Sequence, residues 1–280
     1  MKNILFATTA LVATAGIAAA DVSVSGSAEI GMVDTNATNQ GFEFHQVIEV
    51  TFGMTGETDG GLTFGATVQL DEASASTAND DGGATVFVSG AFGTVTMGDT
   101  DGALDWALAE TGMGGAIADD HTEHAGYNGN SGLDGKGDGQ VLRYDYSING
   151  FGVAVSQEQG SNGAAGSKDI TAFGVTYAMD MGGTAITLGA GTQDYGVSDR
   201  AGFSVKAAMP NGITLVANTS SGTDAAVANK PGVKEVQDTY GKVTTKAVAP
   251  VVAVAQRDVD TLGLGVAYTM DALTVAFNYG

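Results

Sequence analysis

The sequence predicts an all-β chain, a transmembrane antiparallel β-barrel, and three observations carry that prediction. Apolar and polar residues alternate with a period of two along most of the chain, and short and long connections take turns between the alternating segments. Past residue 20, no run approaches the ~20 apolar residues that a spanning helix needs. Lipid can then be crossed only by sheet whose backbone amides all find partners, which is a barrel.

Composition narrows the field before any segment is read. Eleven Lys and Arg stand against 32 Asp and Glu, a net charge of −21. That balance argues against nucleic acid and against docking on an anionic surface. A hydrophobic content of 43% is far too high for a disordered acidic chain. Gly is abundant at 43 residues while Pro numbers 3, so the glycines are not collagenous. The chain has no cysteine, so an exported protein of this size must be held by a closed network other than disulfides.

Export itself is read from residues 1–20. Lys2 gives a positive start, Ile4 to Ile17 an apolar stretch, and Ala18, Ala19 and Ala20 the small residues that a signal peptidase cuts. A buried N-terminal helix is the alternative, but the flanks favour a signal peptide, with the mature chain beginning at Asp21. Its removal takes Lys2 and leaves the mature chain one unit more acidic.

The strands follow in order. In 61–71, Leu62, Phe64, Ala66, Val68 and Leu70 share one face, and Thr63, Gly65, Thr67, Gln69 and Asp71 share the other. Lipid on one side and water on the other demand this division. A half-buried soluble sheet would show it too, so the weight lies in its repetition. Segments 22–33, 42–54, 61–71, 84–90 and 93–99 read as strands, the last two joined by a tight turn at Ala91-Phe92. Segments 140–148 and 151–159 flank Asn149-Gly150, a strong two-residue hairpin signal. Then come 168–179, 183–194, 199–209, 212–219, 260–270 and 272–279. These thirteen segments lie near the ~9–11 residues of a tilted membrane strand.

The connections at 55–60, 91–92, 149–150, 180–182, 210–211 and 271 are short, and those at 34–41, 72–83, 100–139, 160–167 and 220–259 are long. Membrane barrels sort their loops in this way, short at one end and long at the other; a soluble sandwich has no reason to. Phe42, Phe44, Tyr144, Tyr146, Tyr177, Tyr268, Phe277 and Tyr279 sit near strand ends or on the outward face, as interfacial girdles require. Bacterial single-chain barrels have even strand numbers. An odd count, with Phe277-Asn278-Tyr279-Gly280 ending on no turn, predicts a chain that stops before its barrel closes.

The motif Phe52-Gly-Met-Thr-Gly-Glu-Thr-Asp-Gly-Gly-Leu-Thr-Phe-Gly-Ala66, followed by Val86-Phe-Val-Ser-Gly-Ala-Phe-Gly-Thr-Val-Thr-Met-Gly-Asp99, resembles the general outer-membrane porins of α-proteobacteria, the Rhodobacter type. The resemblance runs the length of the chain and is densest over 21–99 and 140–156. It implies a homotrimer of 16-stranded barrels in the outer membrane of a Gram-negative bacterium, of which this chain holds about thirteen strands. It implies contact with outer-membrane lipid and lipopolysaccharide, and no enzymatic activity. The expected function is a water-filled channel for passive diffusion of small hydrophilic solutes and ions. A substrate-specific channel on the same fold is one alternative. A non-channel, Gly-rich surface adhesin is another, although the fixed repeat it needs is absent.

In such porins a long loop folds inward and sets acids against a basic barrel wall. The resemblance gives that role to 100–139, within a barrel spanning 21–280. The loop acids are Asp101, Asp105, Glu110, Asp119, Asp120 and Glu123, with Asp134 and Asp138 beyond them. On the wall, alternation places Arg143 on the inward face, and Arg200 with Lys206. Where relatives carry arginines on the second strand, this chain has His45, Val47 and Glu49. A lumen ringed by carboxylates and poor in positive charge is expected to be weakly cation-selective.

Other constellations carry less. Asp134-Gly-Lys-Gly-Asp138-Gly139 partly mimics a calcium loop, but Lys136 occupies a ligand position and no helix flanks it. No cofactor is required by any motif; calcium bridging Asp134 and Asp138 is the one ligand these carboxylates suit. His121, Glu123 and His124 beside Asp119 and Asp120 read as a solvated acidic loop, since their spacing matches no metal-ligand pattern. Gly112-Met-Gly-Gly115 lacks the strand-to-helix context of a dinucleotide loop. There is no Gly-x-Ser-x-Gly elbow and no cysteine nucleophile. Trp106, the sole tryptophan, either anchors the loop or packs on the wall. Residues 220–259 read as an outer loop for neighbouring-subunit or lipopolysaccharide contacts, with Val248–Ala255 as an added short strand or wall-packing segment.

Overall fold

A computed structural model describes residues 21–33, 43–73, 83–112, 133, 140–160, 169–196, 198–224, 236–237, 243–245, 255–271 and 273–279. The strands are β1 (Asp21–Val33), β2 (Glu43–Glu57), β3 (Thr63–Ala73), β4 (Ala84–Gly90), β5 (Gly93–Gly98), β6 (Val141–Ile148), β7 (Phe151–Glu158) and β8 (Ile170–Met181). They continue as β9 (Thr184–Asp194), β10 (Asp199–Ala208), β11 (Ile213–Asp224), β12 (Val236–Gln237), β13 (Val243–Thr245), β14 (Arg257–Met270) and β15 (Leu273–Tyr279). One short helix, α1 (Ala103–Ala107), interrupts them. A 13-stranded sheet runs β1 to β11, then β14 and β15, each strand antiparallel to the one before it; β12 and β13 pair with each other.

This is the all-β, up-and-down barrel wall that the alternation predicts, and its register rests on tight turns. Ile148 pairs with Phe151 across Asn149 and Gly150, whose φ values of 52° and 84° are those of a type I′ hairpin. Met181 pairs with Thr184 across Gly182 and Gly183, at φ 66° and 89°. The turn therefore falls one residue later than 180–182, because two glycines together best supply two left-handed positions. Strands also run longer than expected: β2 has 15 residues and β14 has 14. Ser220 to Asp224 and Arg257 to Val259, expected in a loop, continue the ladder between β11 and β14. At the long-loop end one connection is tight, with the Tyr195 N–H donating to the Ser198 carbonyl over 2.8 Å.

The two faces of the wall differ throughout. On one, Val24, Phe52, Val68, Leu142, Val155, Phe173, Phe203, Leu264 and Phe277 are exposed, Val24 by 63% and Phe277 by 68%. A water-soluble monomer rarely shows so wide an apolar surface, and hydrocarbon is the solvent that suits it. This outward face is bordered differently at its two rims. Near the short turns lie Phe92, Tyr144, Tyr146, Phe151, Tyr177 and Tyr268. The Tyr144 hydroxyl donates to the Phe92 carbonyl at 2.6 Å, and the Phe151 and Tyr177 rings meet at 4.3 Å. At the opposite rim the exposed outward residues include five carboxylates: Asp194 and Asp199, opposed in register, with Asp169, Asp258 and Asp260.

The other face is mostly Ser, Thr, Gly and Ala, with Phe87, Val141, Ile170 and Val216 among them, and carries the charged residues Glu49, Arg143, Asp145, Glu158, Arg200, Lys206 and Asp224. Phe42 and most of 34–42, 74–82, 113–132, 134–139, 161–168 and 225–254 lie outside the described residues, as does the Val248–Ala255 segment apart from Ala255.

Val155 sits mid-strand on the outward face of β7, and Thr51 on the inner face of β2. Val155→Arg is expected to destabilise the membrane-inserted barrel by about 2–4 kcal/mol. Thr51→Arg, whose side chain has water beside it, should cost much less. Guanidinium unfolding in lipid vesicles compares them, and equal losses would contradict the assignment of faces.

Candidate functional site

The inner face carries a trough of small side chains. On β7, β8, β9 and β10 the inward positions include Gly152, Ala154 and Ser156, then Ala172 and Gly174, then Gly189 and Gly191, then Gly202 and Ser204. Helix α1 lies in it. A Cβ on Gly174 would stand 2.0 Å from the Ala103 carbonyl oxygen, and one on Gly189 would stand 1.9 Å from that of Ala107. Any larger residue at either position displaces the helix. Ala103 and Leu104 are wholly buried against Ala154 and Ala172, and Leu108 covers Gly202.

Five residues are far too few for a helix to persist alone, and Gly102 at its N-cap brings no side chain. The wall supplies the missing partners. The Ala103 N–H donates to Ser156 Oγ at 2.8 Å. The Ala109 N–H donates to Ser204 Oγ at 2.8 Å, and Asn218 Nδ2 donates to the Ala109 carbonyl at 3.0 Å. Farther along, the Leu133 N–H donates to Gln193 Oε1 at 2.7 Å. The segment that the sequence reads as structureless loop is thus partly helical where it meets this trough. The indole of Trp106 lies over Gly152, where a Cβ would come within 2.9 Å of it, and packs beside the buried cluster.

The charged residues expected here are distributed unevenly. Asp101 and Glu110 are exposed and Asp105 is half-buried on α1. Arg143 is on the inner face of β6, where its guanidinium donates to the Asp101 carbonyl at 2.7 Å and pairs with Asp145 at 3.3 Å. Arg200 is 4% exposed and pairs with Asp224 at 2.6 Å; its guanidinium also donates to the Asp199 and Thr223 carbonyls. Asp224 pairs in addition with Arg257 at 2.9 Å. Lys206 shares the inner face of β10 with Ser204, is exposed, and makes no ion pair among the described residues. Glu49 faces inward on β2 and accepts from Ser27 Oγ at 2.9 Å and from Gln69 Nε2. His45 lies in β2 opposite Gly31, its side chain outside the described residues. Asp119, Asp120, Glu123, Asp134 and Asp138 lie outside them too. Among the described residues, no group of three or more His, Cys, Asp or Glu could hold a metal ion.

Ser156, Gln193, Ser204 and Asn218 were not singled out from the sequence. Their signal was present: inward positions on neighbouring strands carry Gly, Ala or Ser where a wall facing only water would tolerate any polar residue.

Fold and site together define a membrane-spanning β-barrel with a segment of one long loop folded against its inner wall. A sequence profile described as Gram-negative porin matches residues 7–280. The chain belongs to that family, and with it to the bacterial outer membrane. It is similar to a porin of Rhodobacter capsulatus, 33% identical over 172 residues, an alignment covering 60% of this chain and 55% of that one. The chain thus spans about half the length of that curated relative. In fold it resembles a porin refined at 1.8 Å, with a TM-score of 0.55 and 23% identity over 92% of this chain and 82% of the other. It also resembles an engineered Rh. blastica porin, with a TM-score of 0.57 and 16% identity over 92% and 93% of the two chains.

Gly189→Val is expected to push α1 off the wall. As Trp106 is the only tryptophan, its emission reports this directly: a red shift and readier quenching by acrylamide, with the β-sheet circular dichroism unchanged. An unchanged emission spectrum would mean that the trough does not hold the helix.

Proposed function

We propose that the chain forms a water-filled outer-membrane channel through which small hydrophilic solutes and ions diffuse passively, with weak cation selectivity, and that it assembles as a homotrimer in contact with lipid and lipopolysaccharide. The carrying observation is the pairing of charges on the inner wall. Arg143, Arg200 and Arg257 are tied to two carboxylates, Asp145 and Asp224, so two of their three charges are offset within a few ångströms. Asp101, Asp105 and Glu110 border the held segment, and Glu49 adds a carboxylate on the wall opposite in sequence. Lys206 is the remaining wall cation among the described residues.

Residues 1–20 serve in this reading as the export signal, and 100–139 as the constriction loop, with Asp119, Asp120 and Glu123 extending its acidic character and His45 on the facing wall. Calcium at Asp134 and Asp138 would bridge loop carboxylates, which hard cations favour.

Reversal potentials in planar bilayers under a KCl gradient test the selectivity. Charges a few ångströms apart in water-filled surroundings interact by about 1 kcal/mol or less, so one neutralised acid changes a permeability ratio by a factor of about 2 to 5. Asp105→Asn and Glu110→Gln should each lower cation preference by such a factor, and Lys206→Ala should raise it. Anion preference in the unaltered protein would refute the selectivity.

A further inference from the structure

One rung of the wall grips a single peptide of the inward segment from both sides. Ser204 on β10 and Asn218 on β11 are directly opposed in register, and they are 1% and 2% exposed. Both reach Ala109, which lies beyond the end of α1: Ser204 Oγ accepts from its N–H, and Asn218 Nδ2 donates to its carbonyl. The rung thus treats this peptide as a neighbouring strand would, offering acceptor to donor and donor to acceptor. On one side of Ala109 is Leu108, 6% exposed and seated on Gly202. On the other is Glu110, exposed. Ala109 is therefore the anchor next to Glu110, which stands exposed between it and the buried Thr111.

We propose that Ser204 and Asn218 form a two-pronged clamp on Ala109, positioning residues that fix the width and charge of the channel's narrow section by holding Glu110 at one place in the lumen. This rests on the channel reading above. The clamp has a chemical polarity that can be inverted without changing shape. Asn218→Asp is isosteric, but a carboxylate only accepts, so it would face the Ala109 carbonyl with like partial charge. Protonated, the same side chain regains a donor. Ser204→Ala removes the acceptor at every pH. A neutral hydrogen bond's net contribution corresponds to a factor of roughly 2 to 12 in an opening equilibrium.

Full-length protein refolded into planar bilayers gives the test. At neutral pH, the unaltered protein should conduct at one steady level. Asn218→Asp should raise open-channel noise several-fold and lower the cation preference. As the pH falls and the new carboxyl takes a proton, which burial makes easier, that noise should fall back towards the unaltered protein's, whereas Ser204→Ala stays noisy throughout. Loss of packing alone gives no acid rescue. A second readout does not depend on conduction: exchange of the Ala109 amide in detergent-solubilised protein should quicken roughly 2- to 12-fold in Ser204→Ala. Quiet channels and unaltered exchange in both variants would overturn the clamp. Absence of any conductance in the unaltered protein would overturn the channel reading instead, and amide exchange would then decide the clamp by itself.

Discussion

Every backbone amide in hydrocarbon must be paired within the protein, and the rest of this structure depends on that requirement. It forces each strand to lie against its predecessor from β1 through β11 and on to β14 and β15, all antiparallel. Once the backbone is spent on the ladder, only side chains remain to distinguish lipid from water, and the pleat sends them alternately to each. A slip of one residue would turn Val153 and Val155 into the lumen and Ala154 and Ser156 into lipid. Turns such as Asn149-Gly150 and Gly182-Gly183 hold the register against this slip, because their left-handed pairs fit two-residue loops.

Within that frame the inner wall gives up strand propensity for proximity. Gly174 and Gly189 weaken β8 and β9 as strands, since glycine has no side chain to pack and loses most entropy on ordering. In return the backbone of α1 comes close enough for Ser156, Ser204 and Asn218 to complete its hydrogen bonds. The helix and its docking site are one unit: five residues would not hold a helix without the wall, and Ser156, Ser204 and Asn218 supply bonds that its backbone lacks. Arg143 extends this arrangement back to Asp101, so the segment is tied down from β6 to β11.

The pairing of arginines with aspartates bears on stability and on the channel proposed above. Arg200 is nearly buried, and a guanidinium in that position needs a carboxylate and carbonyls around it; Asp224 and the Asp199 and Thr223 carbonyls provide them. A charge so committed contributes little field at a distance. Counting basic residues on the wall therefore overstates its positive character, which is the ground of the selectivity proposed above.

Much of this was legible in the sequence because alternation and turn chemistry are local. Period two, loop lengths that sort by end, and Asn149-Gly150 fixed the number of strands in the sheet, their order and the face of nearly every side chain, including those of Glu49, Arg143, Arg200 and Lys206. Strand ends were less legible: Ser220 to Asp224 are small, polar residues that read as loop, and only pairing with β14 makes them strand. The site was legible as a list of charges, not as an arrangement. Which arginine pairs with which acid, and that Ser204 and Asn218 meet Ala109 from 95 and 109 residues away in the chain, depend on bringing distant segments together across the barrel. No periodicity encodes such contacts, because they form only after the sheet has curved and the loop has turned back into it.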